Sequence, residues 1–518
     1  MGFIDELKTA LDDDFNVSVT EKGAVGYRTT GNPLLDLNFA VSSLRGRSEV
    51  EIAVRFARAF FHDKLLAIKW LFFAADVRGG MGERRLFRAA MQFLAYSEPQ
   101  IAKALLPLVA EYTRFDNLLP LLDSNVSDDV IALLKAQLDK DVAAMNANQP
   151  VSLCAKWLPS ANASSKTSKR YAKTLIKAFG LTEREYRKTL TALRAYINVV
   201  EVKMSQRAWT EIDYEAVPSR ANLMYADAFL RNDEARRKAY LEALEKGEAK
   251  INASVLFPHD IVMKYTNTNS FWDMKLKPKD KAIEALWKNL PDFVQGDDST
   301  LCVSDGSGSM TIHLRNSSAT PLHVAIALSI YFSERASGEF KDKYITFSEN
   351  PQLVDFSKAK SLRDKIGIAL THNEVANTNI EAVFSLILRT AVKANMKQSD
   401  LPKNILILSD MEFDDSATSS NYGDANDGGF KRLFQVFVEK YEAHGYRLPR
   451  LVFWNIYSRT ETIPLKENEL GVALVSGFSP TVVKMVLSGK LDPYECLLEQ
   501  LNDQRYDAVE AAVKDLLN

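Results

Sequence analysis

The amino-acid sequence predicts two regions of different fold class: an α-helical repeat region first, and then an α/β region with a doubly wound, mainly parallel sheet. Three observations favour this division. Apolar residues return at three- and four-residue spacing through most of 34–290. Short apolar runs then alternate with helical patterns from about residue 300 onward. One of these runs, within LCVSDGSGSM at 301–310, ends in oxygen-bearing side chains separated by glycine.

The helical region is predicted from a series of amphipathic segments separated by short turns. The clearest of them lie at 54–61, 65–73, 86–94, 101–109 and 131–138. Helices of this length, paired without a strict sequence repeat, are typical of an α-solenoid of the HEAT kind, in which neighbouring repeats bury a shared core. We expect this domain over 34–295, preceded by an N-terminal arm at 1–33.

The α/β region is predicted from the order of its elements. After the strand at 301–303 we expect a helix at 323–335, strands at 343–347 and 352–356, helices at 362–368 and from 378, a strand at 404–408, a helix at 430–444, and strands at 451–456 and 472–475. Strands alternating with helices of this length predict a parallel sheet covered on both faces. We expect this domain over 296–490, followed by an amphipathic C-terminal helix at 491–518 that packs back on the body.

Polar side chains follow two of the predicted strands. Asp305, Ser307 and Ser309 stand at alternating positions where the first strand ends in glycine, and Asp410 ends the strand at 404–408. Thr378 opens a predicted helix between them. Ligands of open α/β sheets bind outside the carboxyl ends of the strands, and hard divalent cations prefer oxygen ligands. These five residues therefore predict a site for Mg²⁺ or another divalent cation, the alternative being a polar turn that binds nothing.

The pattern DGSGS, a distant threonine and a distant aspartate at a strand end resembles the metal-ion-dependent adhesion site (MIDAS) of von Willebrand factor A domains. The resemblance implies that Asp305, Ser307, Ser309, Thr378 and Asp410 surround one metal ion. It also implies an open coordination position that takes a partner's carboxylate. Glu412, Asp414 and Asp415 form an acidic rim after Asp410, which we interpret as a solvated loop, the alternative being that these residues strengthen the electrostatic field at the cation.

Composition limits the class of protein. The chain has 518 residues and a formal net charge of -2, so any nucleic-acid binding must depend on local clustering of charge. Cys154, Cys302 and Cys496 lie far apart without metal-binding spacing, which predicts reduced core thiols and a cytoplasmic protein. The acidic start of the chain is unlike a signal peptide, and we expect no membrane segment.

A strongly basic segment lies between residues 154 and 210. It carries twelve lysine and arginine residues against three glutamates. Neutralising phosphates with such a patch releases counterions and supports salt-dependent binding of RNA. The residues that we predict to contact RNA are Lys156, Lys166, Lys169, Arg170, Lys173, Lys177, Arg187 and Lys188. The alternative is that these charges are solvated helix faces.

Aromatic side chains are interspersed with these charges. Trp157, Tyr171, Tyr186 and Trp209 lie in the same segment, where they either stack on unpaired bases or belong to the core. The spacing of charges and rings matches no known recognition motif.

Several stretches of the helical region resemble the Ro (TROVE) ribonucleoprotein family. They are DVRGGMGERRLFR at 76–88 and YTRFDNLL at 112–119, together with the order of a helical region first and an A domain last. The similarity to Ro-like proteins of phages and bacteria extends through AVGYRTTGNPLLDL at 24–37, AKWLPSANASSK at 155–166, IDYEAVPSRANLMY at 212–225, INASVLFPHDIV at 251–262 and LILSDMEFD at 406–414. This resemblance implies a helical-repeat ring closed by an A domain, with RNA as the ligand.

These observations predict a non-enzymatic, Ro-like scaffold that binds RNA through its basic helices and carries a metal-dependent A domain. A second hypothesis is a protein-interaction module that captures a partner's Asp or Glu at the metal, without RNA. A third, a metal-dependent hydrolase or nuclease, has little support because no general base and no HExxH or Ser/His/Asp pattern is present.

Overall fold

The computed structural model describes residues 15–266, 276–294, 299–314, 317–348, 350–372, 379–413, 429–464, 472–482 and 492–517. The chain divides into two compact units. The first, here called the sheet unit, comprises Met1–Glu51 and Leu256–Asn502. The second, the helical unit, comprises Ile52–Val255 and Asp503–Asn518.

The described residues form eight strands and 22 α-helices. The strands are β1 (Val17–Val19), β2 (Val25–Tyr27), β3 (Thr300–Asp305), β4 (Lys343–Phe347), β5 (Leu353–Asp355), β6 (Asn404–Ser409), β7 (Arg450–Asn455) and β8 (Val472–Ser476). The helices are α1 (Pro33–Phe39), α2 (Val41–Leu44), α3 (Glu49–His62), α4 (Lys64–Ala75), α5 (Arg84–Ser97), α6 (Pro99–Leu105), α7 (Val109–Tyr112), α8 (Ser127–Asn146), α9 (Cys154–Trp157), α10 (Lys166–Ala178), α11 (Glu183–Tyr196), α12 (Val200–Ser205), α13 (Ser219–Asn232), α14 (Glu234–Lys246), α15 (Pro258–Tyr265), α16 (Lys281–Lys288), α17 (Pro321–Arg335), α18 (Leu362–Thr371), α19 (Ile380–Lys393), α20 (Gly429–Ala443), α21 (Pro493–Leu501) and α22 (Asp507–Val513).

The sheet unit is built on six strands in the order β5-β4-β3-β6-β7-β8. All neighbours are parallel except β5, which pairs antiparallel with β4 at one edge. From β3 the chain builds outward to β4 and β5 on one side, and then returns to place β6 on the other side of β3. The order therefore reverses between β3 and β6, which is the place where open α/β sheets bind ligands.

Helices cover both faces of this sheet. Alternate residues of the strands, such as Val303 and Ile407, share one hydrophobic core with Phe384 of α19 and Phe437 of α20. On the opposite face α17 packs against β3, and it also packs against α15. Because α17 lies between two apolar partners, its residues are buried all round its circumference from Pro321 to Ser333.

The first described residues belong to the sheet unit. The hairpin of β1 and β2 is joined to the loop after β7, since the backbones of Tyr27 and Ile463 form two hydrogen bonds of 2.8 Å. Asn455 Nδ2 donates to the carbonyl of Phe39 at 2.9 Å, which holds α1 at the end of β7. These long-range contacts join residues 15–51 to the sheet. The boundaries of the compact units therefore differ from the domain boundaries expected from the sequence, at residues 33 and 295.

The helical unit contains most of α3, all of α4–α14, and α22. Helices that follow one another pack together, as α4 does with α5 and α13 with α14. The loop between α4 and α5 depends on Gly80, where an added Cβ would lie 1.8 Å from the carbonyl oxygen of Phe73. Arg78 and its two glycines thus form a tight structural turn.

The C-terminal segment is two helices, although the sequence predicted one over 491–518. α21 ends at Leu501, and Asp503 then caps a new turn by accepting a hydrogen bond from the Arg505 amide at 2.8 Å. The side chain of Arg505 donates to the buried carboxylate of Asp76. Glu510 of α22 pairs with Lys69 of α4 at 2.9 Å.

The predicted combination of a helical region with a mainly parallel α/β sheet is confirmed. Cys154, Cys302 and Cys496 are all buried free thiols, as expected for core residues. In the part of the chain that the structure describes, no helix combines the length and the apolar character that a membrane crossing requires.

Candidate functional site

The parallel pairing of β3 with β6 brings two polar strand ends together. Ser304 lies opposite Leu408 in this register, so the chain leaves both strands at the same edge of the sheet. Asp305 ends β3, and Asp410 directly follows β6. Both therefore stand at the point where the strand order reverses.

Four of the five predicted metal ligands meet at this point. Asp305 Oδ1 accepts from the Ser307 amide at 2.8 Å, and the hydroxyls of Ser307 and Ser309 are 2.9 Å apart. The side chain of Ser309 also forms a hydrogen bond with Asp410. We call Asp305, Ser307, Ser309 and Asp410 the strand-end cluster. The fifth predicted ligand, Thr378, lies outside the described residues.

The two carboxylates of the strand-end cluster are electrostatically unfavourable as they stand. Both are fully buried. Burial raises the pKa of Asp305, against hydrogen bonds from Ser409 and Ser307 that lower it. Burial and then the charge of Asp305 raise the pKa of Asp410 to about 7. Two adjacent carboxylates held out of water in this way require a positive partner when both are ionised.

Arg459 supplies one positive charge to this place. Its Nη1 donates to Asp410 Oδ2 at 3.1 Å. Its Nε and Nη2 donate to the two carboxylate oxygens of Glu21, at 2.7 and 2.6 Å. Arg459 thus links the buried strand end to an exposed residue of the β1–β2 hairpin. Sequence reasoning missed both residues, because they lie 49 and 438 positions from their partners.

Glu412 is a buried connector, and its interpretation as part of a solvated acidic rim was wrong. The side chain is completely buried. Its carboxylate accepts hydrogen bonds from the backbone amides of Arg459 at 2.7 Å, Thr460 at 2.9 Å and Glu21 at 2.9 Å. The backbone donors satisfy the charge and fix the loop that carries Arg459. The other two rim residues, Asp414 and Asp415, lie outside the described residues.

The donor set of the strand-end cluster suits a hard cation. Two carboxylates and two hydroxyls supply oxygen only, which is the preference of Mg²⁺. Among the described residues, no group of three or more His, Cys, Asp or Glu side chains is arranged to hold a metal ion. A metal at the strand-end cluster would therefore depend on its serines as much as on its aspartates.

In the helical unit, the predicted RNA contacts lie mainly on two successive helices. Lys166, Lys169, Lys173 and Lys177 are exposed along α10 at intervals that place them on one face. We call these four residues the lysine stripe. None of them forms a hydrogen bond or ion pair among the residues that the structure describes. Arg187 and Lys188, on α11, are likewise exposed.

Two of the predicted contacts differ from the others. Arg170 is exposed but pairs with Asp123 through two hydrogen bonds of 2.6 and 2.7 Å, so its charge is already compensated. Lys156 is half-buried, with its ammonium 5.6 Å from the centre of the Trp157 ring.

The aromatic side chains of the basic segment are largely engaged within the protein. Tyr186 is buried and donates to the carbonyl of Pro159 at 2.9 Å. Trp209 packs against the core formed around Phe229. The guanidinium of Arg114 covers the Trp157 ring at 3.8 Å, and that of Arg170 lies 4.7 Å from Tyr171. These contacts within the protein therefore do not leave the rings available for base stacking.

Comparisons with known proteins match both halves of the chain. A family model described as Domain of unknown function (DUF7788) matches residues 299–515, and another, Domain of unknown function (DUF2828), matches residues 163–297. The chain is 29% identical over 526 residues to "Uncharacterized protein L728" of Acanthamoeba polyphaga mimivirus, covering 94% of this chain and 87% of that protein. The crystal structure of the Deinococcus radiodurans Ro (RSR) protein matches with a TM-score of 0.36 and 12% identity, over 86% of this chain and 92% of that chain. Neither family model spans half of the chain.

Proposed function

We propose that this protein is a non-enzymatic RNA-binding scaffold, whose helical unit holds the RNA backbone and whose sheet unit carries a divalent cation. The observation that carries the RNA proposal is the lysine stripe. Four exposed ammonium groups along one face of α10 have no carboxylate partner among the described residues, in a chain whose net charge is -2. Such an unneutralised row is favourable only in contact with water or a polyanion.

The ligand class follows from the chemistry of this surface. Lysines present flexible point charges, and the nearby rings are engaged elsewhere in the protein, so the surface suits phosphates and does not suit base readout. The Ro-like motifs of the sequence agree with RNA as the polyanion. We expect the protein to bind RNA in the cytoplasm. The affinity should depend on salt concentration and only slightly on the base sequence of the RNA.

The test replaces Lys166, Lys169, Lys173 and Lys177 together with alanine. The variant should bind single-stranded RNA more weakly, and the slope of log affinity against log salt should fall by up to about 0.7 for each lost phosphate contact. The matched control replaces four exposed lysines elsewhere, Lys140, Lys246, Lys288 and Lys393, and changes the net charge equally. If both variants bind alike, the stripe is only a solvated helix face.

A second candidate function, capture of a protein carboxylate at a metal ion, is favoured by the strand-end cluster. Its two buried aspartates and two serines lie at the edge where open α/β sheets bind ligands, and their spacing in the sequence resembles the adhesion-site pattern. With Mg²⁺ bound, these residues and Thr378 would hold the ion, which would accept an Asp or Glu from a partner. Under this hypothesis the helical unit binds no RNA.

A further inference from the structure

A second group of positive charges lies in the helical unit, apart from the lysine stripe. Arg84 and Arg88 are one turn apart at the start of α5, and Arg114 follows α7. Arg88 Nη2 donates to Asp116 Oδ2 at 3.0 Å, and Arg114 Nε donates to Asp116 Oδ1 at 2.8 Å. The single carboxylate of Asp116 thus accepts hydrogen bonds from two guanidinium groups.

Arg84 is the member of this group that the protein leaves uncompensated. It is half-buried, and it forms no hydrogen bond or ion pair within the described part of the chain. Burial and repulsion from Arg114 lower the pKa of Arg84 to about 10, with Asp116 opposing and with Arg88 and Arg220 adding to the decrease. The group is still protonated at neutral pH. An unpaired cation is therefore held partly out of water among other cations.

The backbone adds to this positive field. α5 is 14 residues long, and Glu83 before it makes no side-chain capping hydrogen bond. The first amides of the helix and its dipole favour an anion at this end. Arg114 is also held in place from its other side, because its guanidinium stacks on Trp157 at 3.8 Å. Arg88 and Arg114 are therefore held in place by their contacts with Asp116 and Trp157.

We propose that Arg84, Arg88 and Arg114, here called the arginine cluster, bind a phosphate group. Guanidinium forks match the paired oxygens of phosphate, and the three positive charges of Arg84, Arg88 and Arg114 exceed the single negative charge of Asp116. Arg84 has N–H donors that do not bond to Asp116 and are therefore available to a phosphate. The site shares no residue with the lysine stripe, so it stands whether or not the proposed RNA surface does. The phosphate is either a free ion or a phosphodiester of nucleic acid.

The test measures binding of inorganic phosphate to the full chain by titration calorimetry. Arg84→Met removes the unpaired cation but keeps most of its apolar stem, and it should weaken phosphate binding by about tenfold or more. Arg84→Lys keeps the positive charge but lacks the guanidinium fork. Its affinity for phosphate should lie between those of the wild type and Arg84→Met. Arg231→Met, at an exposed arginine of α13, is the matched control and should bind phosphate as the wild type does.

Thermal unfolding separates loss of binding from loss of fold. Without phosphate, Arg84→Met should melt no lower than the wild type, because the substitution removes repulsion with the other arginines. Absence of phosphate binding in the wild type, or equal binding by a folded Arg84→Met variant, would overturn the proposal.

A competition experiment identifies the source of the phosphate. A single-stranded oligonucleotide without a terminal phosphate should displace inorganic phosphate if the cluster takes phosphodiesters. If it does not, the ligand is the free ion. The alanine variant of the lysine stripe should bind inorganic phosphate normally in either case, so failure of the stripe and failure of this site give different results.

Discussion

Asp305 and Asp410 pose the main electrostatic problem at the scale of single residues. Both side chains are fully buried, and Ser409 Oγ donates to Asp305 Oδ2 at 2.6 Å while Arg459 compensates Asp410. Arg459 shares its charge with Glu21, so one guanidinium serves two carboxylates. Asp305 is stabilised by hydroxyl and amide donors and by the charge of Lys22. A divalent cation between the aspartates would remove this imbalance.

The raised pKa of Asp410 predicts a pH-dependent stability. In the unfolded chain this carboxyl ionises near its ordinary value of 3.8, whereas in the fold burial holds the proton up to about pH 7. The folded state therefore binds more protons between these values, and its stability falls as pH rises through them. In EDTA, the free energy of unfolding of the wild type should decrease by on the order of a few kcal/mol between about pH 5 and pH 8.

Scanning calorimetry on the wild type and Asp410→Asn measures this dependence. The amide cannot ionise, so the variant should lose less stability at high pH, and magnesium should stabilise only the wild type there. Glu339→Gln, at an exposed carboxylate of the sheet unit, is the control and should behave as the wild type. A wild type that ignores both pH and magnesium would exclude a cation site at the strand-end cluster.

Sequence patterns identify these residues only where a local signal exists. Asp305, Ser307, Ser309 and Asp410 follow apolar runs, and parallel strands bring such ends together. The roles of Arg459 and Glu21 depend on a contact between the first hairpin and the loop after β7, for which no neighbouring residue gives a signal. Likewise, nothing in the sequence distinguishes the unpaired Arg84 from the paired Arg170.

At the scale of elements, the predicted bounds of a strand or helix agree best with the observed ones where the sequence pattern is most regular. β4 was predicted at 343–347 and runs from Lys343 to Phe347, because its buried β-branched and aromatic residues leave little ambiguity. The C-terminal helix was predicted as one element but breaks after Leu501. The amphipathic pattern continues across the break, whereas the cap at Asp503 depends on a two-residue contact that periodicity does not detect.

The turn between α4 and α5 gives a prediction at this scale. Gly80→Ala would place a Cβ 1.8 Å from the Phe73 carbonyl oxygen, so the backbone must move. We expect the free energy of unfolding of the helical unit to fall by about 3 kcal/mol.

The control for this prediction is Gly180→Ala. Its added Cβ would meet open space, but its φ is +67°, so we expect a loss of about 1 kcal/mol from backbone strain alone. Scanning calorimetry compares the two variants. Equal melting temperatures would show that the turn tolerates a side chain and that its glycine serves another purpose.

At the scale of the whole molecule, each of the two compact units is formed by two separate segments of the chain. Residues 1–51 belong with the sheet although they precede the helices, and 503–518 belong with the helices although they follow the sheet. A division into successive segments cannot predict this, because it depends on pairs such as Tyr27 with Ile463 and Asp76 with Arg505. The fold class of each region was predictable because it depends on local periodicity alone.

The two candidate functions differ in what holds the partner. RNA on the lysine stripe is held by lysine charges, which monovalent salt screens. A protein partner at the strand-end cluster is held by an anionic oxygen on the metal, which chelation removes. The same intact chain can therefore be tested for both.

The most direct measurement captures the tagged full chain with its bound material and washes it separately with EDTA, with high salt and with RNase. We predict that the bound material is RNA, that high salt or RNase releases it, and that EDTA does not. Bound material that consists of protein and leaves with EDTA alone would contradict the account.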